Sequence, residues 1–256
     1  MTADDALLAA DLAQRAVAAL VALRQGSDLT GAALKDAGDQ HAQALLAGAL
    51  ATERAADRVL SEEAADDAAR LHADRVWIVD PLDGTREFSE HRDDWAVHVA
   101  LWTRDAGLVA GAVASPGGVR STADPAARTA DPKAVLDGAR PLRLAVSRSR
   151  APQLVSALVE RLGAETVPMG SAGVKAMAVV SGEVDAYVHG GGQYEWDSAA
   201  PVAVARAAGL HTSRLDGSPL VYNRENPWLP DLVVCTPALA ERLLAAIDDV
   251  RHEERP

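Results

Sequence analysis

Residues 77–85 read Trp-Ile-Val-Asp-Pro-Leu-Asp-Gly-Thr. The apolar residues before Asp80 predict a short strand over Arg75–Val79. Pro81 restricts its own backbone and favours an extended conformation at Asp80. Gly84 permits a tight turn that a side chain would obstruct. The stretch therefore predicts a strand that ends in a sharply turned, acidic loop.

Such a loop can direct the Asp80 carboxylate, the Leu82 carbonyl and the Asp83 carboxylate at one point. Magnesium prefers hard oxygen ligands of this kind in octahedral geometry. If a helix starts at Gly84-Thr85, its free N–H groups offer a seat for a phosphate. The alternative is an Asx-type turn whose acids are solvated or cap the backbone, and for an isolated Asp-x-x-Asp-Gly that alternative is the commoner one.

Three further acidic features bear on this choice. Ser61-Glu62-Glu63 follows Val59-Leu60, where a strand would end, and Asp197 stands at the start of an apolar helix. Asp39 begins a predicted helix over about 39–54. Taken singly, Glu62 and Glu63 would be a solvated pair, and Asp197 or Asp39 a helix N-cap.

The remaining pattern changes character near residue 138. Before it, helices are predicted at about 7–23 and 39–54, strands at 75–79, 95–102, 108–114 and 119–123, and a connection over 124–141. After it, strands at 142–147, 165–168, 185–188 and 232–235 alternate with helices at 152–162, 172–180, 197–208 and 237–247. An α+β half, 1–138, followed by an α/β half, 139–256, is the economical interpretation.

The composition and charge of the chain limit which partners and which cellular location are expected. The 256 residues carry 37 acids and 25 bases, a net charge of -12, which disfavours nucleic acid and anionic membranes as partners. No uninterrupted apolar stretch approaches the roughly 20 residues of a membrane span, and the acidic start, Met1 to Asp5, is unlike a secretory signal. The single cysteine, Cys235, suits a reducing compartment, so a cytoplasmic location is expected.

Together, these motifs resemble the lithium-sensitive, magnesium-dependent phosphatases of the inositol monophosphatase superfamily. The stretch 77–85 and Trp196-Asp197-x-Ala199-Ala200 match its two signatures, and Ser61-Glu62-Glu63 matches its preceding acidic motif. The likeness covers roughly residues 30 to 235. It implies a layered αβαβα sandwich of the sugar-phosphatase type, with an antiparallel sheet in the N-terminal half and a mixed sheet in the C-terminal half.

Other sequence motifs resemble those of one branch of this superfamily, the bacterial 3'-phosphoadenosine-5'-phosphate (PAP) phosphatases of the CysQ type. They are Thr85-Arg86-Glu87-Phe88, Ser147-Arg148-Ser149, Gly170-Ser171, Lys175 and the run from Asp216 to Asn223. This likeness implies hydrolysis of the 3'-phosphate of PAP, with the sulfated analogue as a further substrate, in sulfate assimilation. The same chemistry on inositol monophosphate or fructose 1,6-bisphosphate is one alternative. A catalytically silent nucleotide or metal sensor is another.

The resemblance also implies roles for single residues. Glu62, Asp80 and the Leu82 carbonyl would hold one magnesium ion. Asp80, Asp83 and Asp197 would hold a second. Asp39 and Thr85 would position the attacking water, with a third ion left open near Asp39. Glu62 is counted with these two as catalytic.

The substrate, a small phosphate ester, would be bound by residues from both halves. Gly84 and Thr85 would hold the transferred phosphate through backbone N–H groups. The full implied set is Leu82, Asp83, Gly84, Thr85, Ser147, Arg150, Ser171, Lys175 and Asp197. Arg150 replaces a histidine of many relatives, and the alternative for Lys175 is a helix lysine that extends its ammonium into solvent. His98 is interpreted as a packed or half-exposed strand residue, and a homodimer is left open.

Overall fold

The computed structural model describes residues 3–124, 131–148 and 153–253. The helices are α1 (Ala3–Gly26), α2 (Gly31–Glu53), α3 (Thr85–Ser89), α4 (Pro132–Leu136), α5 (Gln153–Leu162), α6 (Ala172–Val180), α7 (Glu195–Ala207) and α8 (Pro237–Glu253), with a 3-10 helix at Ala68–His72. The strands are β1 (Arg58–Ser61), β2 (Arg75–Asp83), β3 (Ala96–Thr103), β4 (Gly107–Ser115), β5 (Gly118–Ser121), β6 (Arg143–Ser147), β7 (Glu165–Met169), β8 (Ala186–His189), β9 (Gln193–Tyr194), β10 (His211–Ser213), β11 (Trp228–Leu229) and β12 (Leu232–Cys235).

Two five-stranded sheets form the framework. The first has the order β1-β2-β3-β4-β5 and is antiparallel except for the parallel pair β1 and β2. The second has the order β10-β12-β8-β6-β7, in which β6 runs parallel to β7 and β8 while β12 runs antiparallel to its neighbours. The predicted mixed sheet is confirmed, and the predicted antiparallel sheet is confirmed for β2 to β5, whereas β1 joins it in parallel. β9 and β11 form a separate two-stranded pair.

The layers follow from the alternation of side chains along the strands. On β2, Trp77 and Val79 face a core shared with α1 and α2, whereas Val76 and Ile78 face the core shared with α6 and α7. The second sheet packs its other face on α5 and α8. Each fully buried side chain such as Ile78 or Val79 contributes roughly 1.5–3 kcal/mol. The result is the predicted αβαβα sandwich, with α6 and α7 in the middle layer.

Helix α1 is long and apolar enough to cross a membrane by length and composition alone. Its residues Leu12, Ala16 and Leu20 are fully buried in the core of the first sheet. This packing accounts for the hydrophobicity of the helix, so its composition is weak evidence for a membrane span.

Several predicted boundaries were wrong. Helix α2 starts at Gly31 after Thr30, so Asp39 lies inside the helix and not at its start. The connection predicted over 124–141 contains α4, and residues 125–130 lie outside the described part of the chain. The short strands β9, β10 and β11 were not predicted. The division at residue 138 falls between the two sheets and stays a prediction.

Candidate active site

The acidic loop lies where β2 loses its regular pairing with β3. Asp80 lies opposite His98 and Asp83 opposite Ala96, and the register shifts between these two positions. The Leu82 amide donates a hydrogen bond to Oδ1 of Asp80 at 3.1 Å. Gly84 then adopts a φ of +89°, which favours glycine, and α3 begins at the next residue. The predicted turn and helix start are present.

Four carboxylates converge beside this loop: Glu62, Asp80, Asp83 and Asp197, called here the acidic cluster. Asp80 is fully buried, and burial together with the charges of the other three raises its pKa well above its usual range. Burial and Asp83 raise the pKa of Asp197 to about 7. The same two causes raise the pKa of Glu62 to about 7, although its side chain is exposed and solvent screens part of the effect.

This donor set fits a divalent cation. Oδ2 of Asp80 is buried and has no hydrogen-bond partner among the described residues. Asp80, Asp83 and His98 each offer a ligand atom within 4.8 Å of the others. A buried carboxylate oxygen without a partner is costly, and Mg²⁺ is a hard cation that takes such oxygens. Asp80 and Asp83 of the acidic cluster, together with His98, therefore have the donor chemistry of a divalent-metal site.

The first turns of the two middle helices hold two of these acids. The Gly173 amide and the Ser171 hydroxyl of the α6 start both donate to Oδ2 of Asp83, the amide at 2.9 Å. At the α7 start, the Tyr194 amide donates to Oδ2 of Asp197 at 2.6 Å. Helix N-termini favour negative charge, so both carboxylates are oriented and stabilised there.

Asp39 approaches the acidic cluster from α2. Burial raises its pKa to about 7, with further contributions from the charges of Glu63 and Glu62. Thr85 is the first residue of α3 and is half-buried. The joint role of Asp39 and Thr85 in positioning water stays a prediction, as does the role of the Leu82 carbonyl.

A cleft of about 380 Å³ adjoins the acidic cluster. The predicted site residues on its wall are Glu62, Asp83, Gly84, Ser147, Ser171, Lys175 and Asp197. Asp39, Asp80, Leu82 and Thr85 are not among the residues that line it, and Arg150 lies outside the described residues. A larger cavity of about 960 Å³, lined by Arg75, Arg104 and Arg206 among others, contains none of the predicted site residues.

Lys175 is only 4 % exposed, so the interpretation of a lysine extended into solvent was wrong. Its Nζ donates to the carbonyl oxygen of Gly170 and lies 5.3 Å from the centre of the Tyr187 ring. Burial lowers the pKa of Lys175, and the charges of Asp83 and other nearby acids oppose that shift. An ammonium group is thus fixed in the cleft wall near the acidic cluster.

Sequence reasoning missed the position of His98. The residue is fully buried, its Nδ1 donates to the Trp196 carbonyl oxygen at 3.2 Å, and its Nε2 lies 3.3 Å from Oδ2 of Asp83. Burial lowers the pKa of His98. The pairing of Asp80 with His98 across β2 and β3 is the signal that would have placed it here.

Arg148 also lines the cleft without having been predicted there, and it is paired with Asp94. Arg148 bonds Oδ2 of Asp94 at 2.5 Å, and Arg92 bonds Oδ1 at 2.8 Å. Against the effect of burial, these two guanidinium groups and the Gly170 amide lower the pKa of Asp94 to about 2. The ion pair between Arg148 and Asp94 joins the end of β6 to the segment before β3.

Comparison with known proteins shows the family to which this architecture belongs. The model of the inositol monophosphatase family matches residues 6–252. The chain is 52% identical to a 3'-phosphoadenosine 5'-phosphate phosphatase of Mycobacterium leprae, over 96% of this chain and 94% of that protein. It is 32% identical to the 3'(2'),5'-bisphosphate nucleotidase CysQ of Escherichia coli, over 62% of this chain and 67% of that protein. The crystal structure of CysQ from Bacteroides thetaiotaomicron superposes with a TM-score of 0.75 at 25% identity, covering 91% of this chain and 97% of that one. The chain belongs to the inositol monophosphatase family.

Proposed function

We propose that this protein is a magnesium-dependent phosphomonoesterase that hydrolyses the 3'-phosphate of PAP to give AMP and phosphate. The observation that carries the proposal is the acidic cluster, in which Glu62 after β1, Asp80 and Asp83 of β2, and Asp197 of α7 converge beside a cleft with a buried ammonium group. The similarity to the Mycobacterium leprae phosphatase supports the choice of substrate. The sulfated analogue is a second substrate of the same kind, and the reaction would recycle a by-product of sulfate assimilation.

The metal ligands in this proposal are those implied by the sequence. Glu62, Asp80 and the Leu82 carbonyl would hold one magnesium ion, and Asp80, Asp83 and Asp197 would hold another. Bound Mg²⁺ supplies positive charge that offsets repulsion between carboxylates and phosphate, and it acidifies coordinated water.

The chain's own groups then orient the reactants. The Asp39 carboxyl, with a pKa of about 7, is suited to take a proton from water at neutral pH. The Thr85 hydroxyl would fix the direction of that water. Backbone N–H groups of Gly84 and Thr85 would hold the phosphate to be removed. Fixed geometry of this kind supplies much of the rate in phosphoryl transfer.

The phosphate that is not cleaved needs donors of its own. Lys175 Nζ is buried in the cleft wall, and Ser147 and Ser171 line the same cleft. Arg150 completes the proposed set as a bidentate donor to phosphate oxygens. These groups would favour a substrate with two phosphates over one with a single phosphate.

The other assignments are simpler. The acidic net charge and the buried free thiol of Cys235 support a soluble enzyme in the cytoplasm that acts on a small phosphate ester. The charge also disfavours nucleic acid and membrane as partners.

A phosphate-release assay tests the function. PAP, inositol 1-phosphate and fructose 1,6-bisphosphate are compared at equal concentrations with Mg²⁺ and with EDTA. We expect the highest kcat/KM for PAP, no turnover with EDTA, and inhibition by Li⁺ at tens of millimolar, an order-of-magnitude concentration for a weak competitor of Mg²⁺. A higher kcat/KM for either sugar phosphate would overturn the assignment to PAP. Binding of PAP without turnover would favour the sensor alternative.

A further inference from the structure

Three aromatic residues form one side of the cleft: Tyr194, Trp196 and Trp228, called here the aromatic wall. The Tyr194 and Trp196 rings are stacked, with centroids 4.6 Å apart and planes 8° from parallel. The Trp228 ring meets Tyr194 at 82° with centroids 5.3 Å apart. Offset stacking and edge contacts are the favourable geometries for such rings.

Two members of the aromatic wall remain open to solvent. Tyr194 and Trp228 are each 41% exposed, and they are the only aromatic residues among the exposed large hydrophobic side chains in the described part of the chain. Both line the cleft that also contains Asp83 and Asp197. An exposed apolar surface beside a polar cleft is typical of a ligand-binding site.

Backbone contacts hold the aromatic wall in place. β9 and β11 pair Tyr194 with Trp228. On either side of this pair, the Gly192 amide donates to the Pro230 carbonyl at 2.9 Å and the Glu195 amide donates to the Pro227 carbonyl at 2.8 Å. The segment 227–230, which carries Trp228, is therefore fixed to the start of α7 before any ligand binds. This preorganisation lowers the entropic cost of binding.

Gly192 makes room for the indole. A Cβ at this position would lie 1.9 Å from Cζ2 of Trp228, so the ring rests directly against the glycine backbone. One side of the ring is thus covered by Gly192 while a large fraction of its surface stays accessible. This close approach, together with a φ of +79°, explains why position 192 is a glycine.

The aromatic wall is coupled to the acidic cluster through the chain itself. Tyr194 donates its amide proton to Oδ2 of Asp197, so one residue contributes a ring to the wall and orients a carboxylate of the cluster. In a nucleotide the ribose joins the phosphate to the base. A nucleotide whose phosphate lies at the acidic cluster can therefore extend its base towards the rings of the aromatic wall.

We propose that Trp228 and Tyr194 form the surface on which the purine base of the substrate stacks, an inference that rests on the proposed function. Stacking on aromatic side chains contributes substantially to the binding of nucleic-acid bases and is tolerant of base identity, because every base has a π-face. The aromatic wall thus favours nucleotides over sugar phosphates, which have no flat ring. Trp228 and Tyr194 are specificity-determining residues in this scheme.

The test uses Trp228→Leu, Trp228→Phe and the control Leu29→Ala, which removes a side chain of similar exposure that does not line the cleft. We expect Trp228→Leu to raise KM for PAP about tenfold to a hundredfold while kcat changes little. Trp228→Phe should retain most of the affinity, and Leu29→Ala should behave as the wild type. KM for inositol 1-phosphate should change much less than KM for PAP.

A binding measurement on the wild type keeps the inference testable if a variant folds poorly. Titration calorimetry compares AMP with ribose 5-phosphate, which lacks the base, in the same Mg²⁺ buffer. Tighter binding of AMP supports base stacking, and equal affinities overturn it. If the wild type prefers PAP but Trp228→Leu leaves KM unchanged, the inference fails alone. If the wild type shows no preference for PAP, the proposed function fails first.

Discussion

The amide nitrogen of Gly173 lies 2.9 Å from Oδ2 of Asp83 and donates a hydrogen bond to it. The same glycine packs against His98, because a Cβ at position 173 would lie 2.0 Å from Nε2 of that histidine. Gly173 therefore allows α6 to approach β3 closely enough for its first turn to hold a carboxylate of the acidic cluster. The lack of a side chain at Gly173 thus leaves the space that the buried His98 ring occupies.

Replacing Gly173 with alanine should disturb this contact. Overpacking of a well-packed site costs about 1–3 kcal/mol, and for a chain of this size each kcal/mol lowers Tm by about 2–4 °C. We expect Gly173→Ala to lower Tm by several degrees and to reduce activity, because Asp83 shifts with the helix. Differential scanning fluorimetry and phosphate release measure the two effects.

Gly48 supplies the matched control. It lies inside α2 with no atom within 4 Å of a built Cβ, so Gly48→Ala should raise stability slightly, as expected for alanine in an open helix position. Adding His98→Ala to Gly173→Ala should recover part of the lost stability, since the overlapping ring is gone. If Gly173→Ala proves as stable as Gly48→Ala, the close packing described above is wrong.

Asp83→Asn removes one charge from the acidic cluster at nearly constant shape. The amide oxygen can still accept the hydrogen bond from Gly173, so the fold should persist. We expect kcat to fall by more than about a hundredfold at saturating Mg²⁺, because loss of a direct metal ligand should exceed the 10–100-fold losses seen for outer partners. Circular dichroism checks the fold.

The control for this variant is Asp11→Asn, an exposed acid on α1 paired only with Arg15 in the described structure. It removes the same charge far from the acidic cluster and should leave kcat unaltered. Undiminished turnover of Asp83→Asn would contradict the assignment of Asp83 as a metal ligand.

Local chemistry explains which parts of this site were predictable. The Asp80 to Thr85 loop combines proline, glycine and two acids within six residues, so its turn and its oxygen donors follow from the sequence alone. The αβαβα layers followed from the resemblance, whereas the strand and helix periods predicted only an α+β half followed by an α/β half. The start of α2 did not, because Gly31 and Gly38 have low helix propensity and interrupt the first turns of an otherwise alanine-rich helix.

The positions of His98 and Trp228 could not be predicted, because they depend on how distant strands pair in the fold. His98 reads as an ordinary strand residue until β2 and β3 are aligned and place it opposite Asp80. Trp228 lies in an irregular segment, and only the two-residue pairing of β9 with β11 brings it beside Tyr194. Neither contact leaves a periodic signal, since each joins residues distant in the chain.

Lys175→Met tests the buried ammonium group. Methionine has a similar length and no charge, so the helix packing should be kept, and removal of a buried charge need not destabilise the fold. We expect kcat/KM for PAP to fall about tenfold to a hundredfold, the range of a charge-assisted hydrogen bond to phosphate. The loss on inositol 1-phosphate should be smaller, which would erode the preference for the nucleotide.

Lys133→Met is the matched control, because Lys133 is exposed on α4 and does not line the cleft. It should leave both kcat/KM values as in the wild type. An unchanged substrate preference in Lys175→Met, at unchanged Tm, would remove Lys175 from substrate recognition.

Removal of metal should make stability fall with rising pH. The pKa values of Asp39 and Asp197 are raised to about 7 in the fold, whereas an unfolded aspartate titrates near 4. Between these values the folded chain binds more protons than the unfolded chain, so the free energy of unfolding decreases as pH rises through that window. We expect the Tm of EDTA-treated protein to be several degrees lower at about pH 8 than at about pH 5.

Mg²⁺ should reverse this dependence, because bound cations offset the repulsion that raises these pKa values. The stabilisation by Mg²⁺ should therefore be larger at about pH 8 than at about pH 5, since ligands must be deprotonated to bind. Asp94 does not mask the effect, because its pKa is lowered to about 2 and its contribution is lost only in stronger acid. Asp197→Asn should flatten the pH profile of the EDTA-treated protein. A Tm that rises between these pH values without metal would show that the carboxylates do not repel one another as the structure requires.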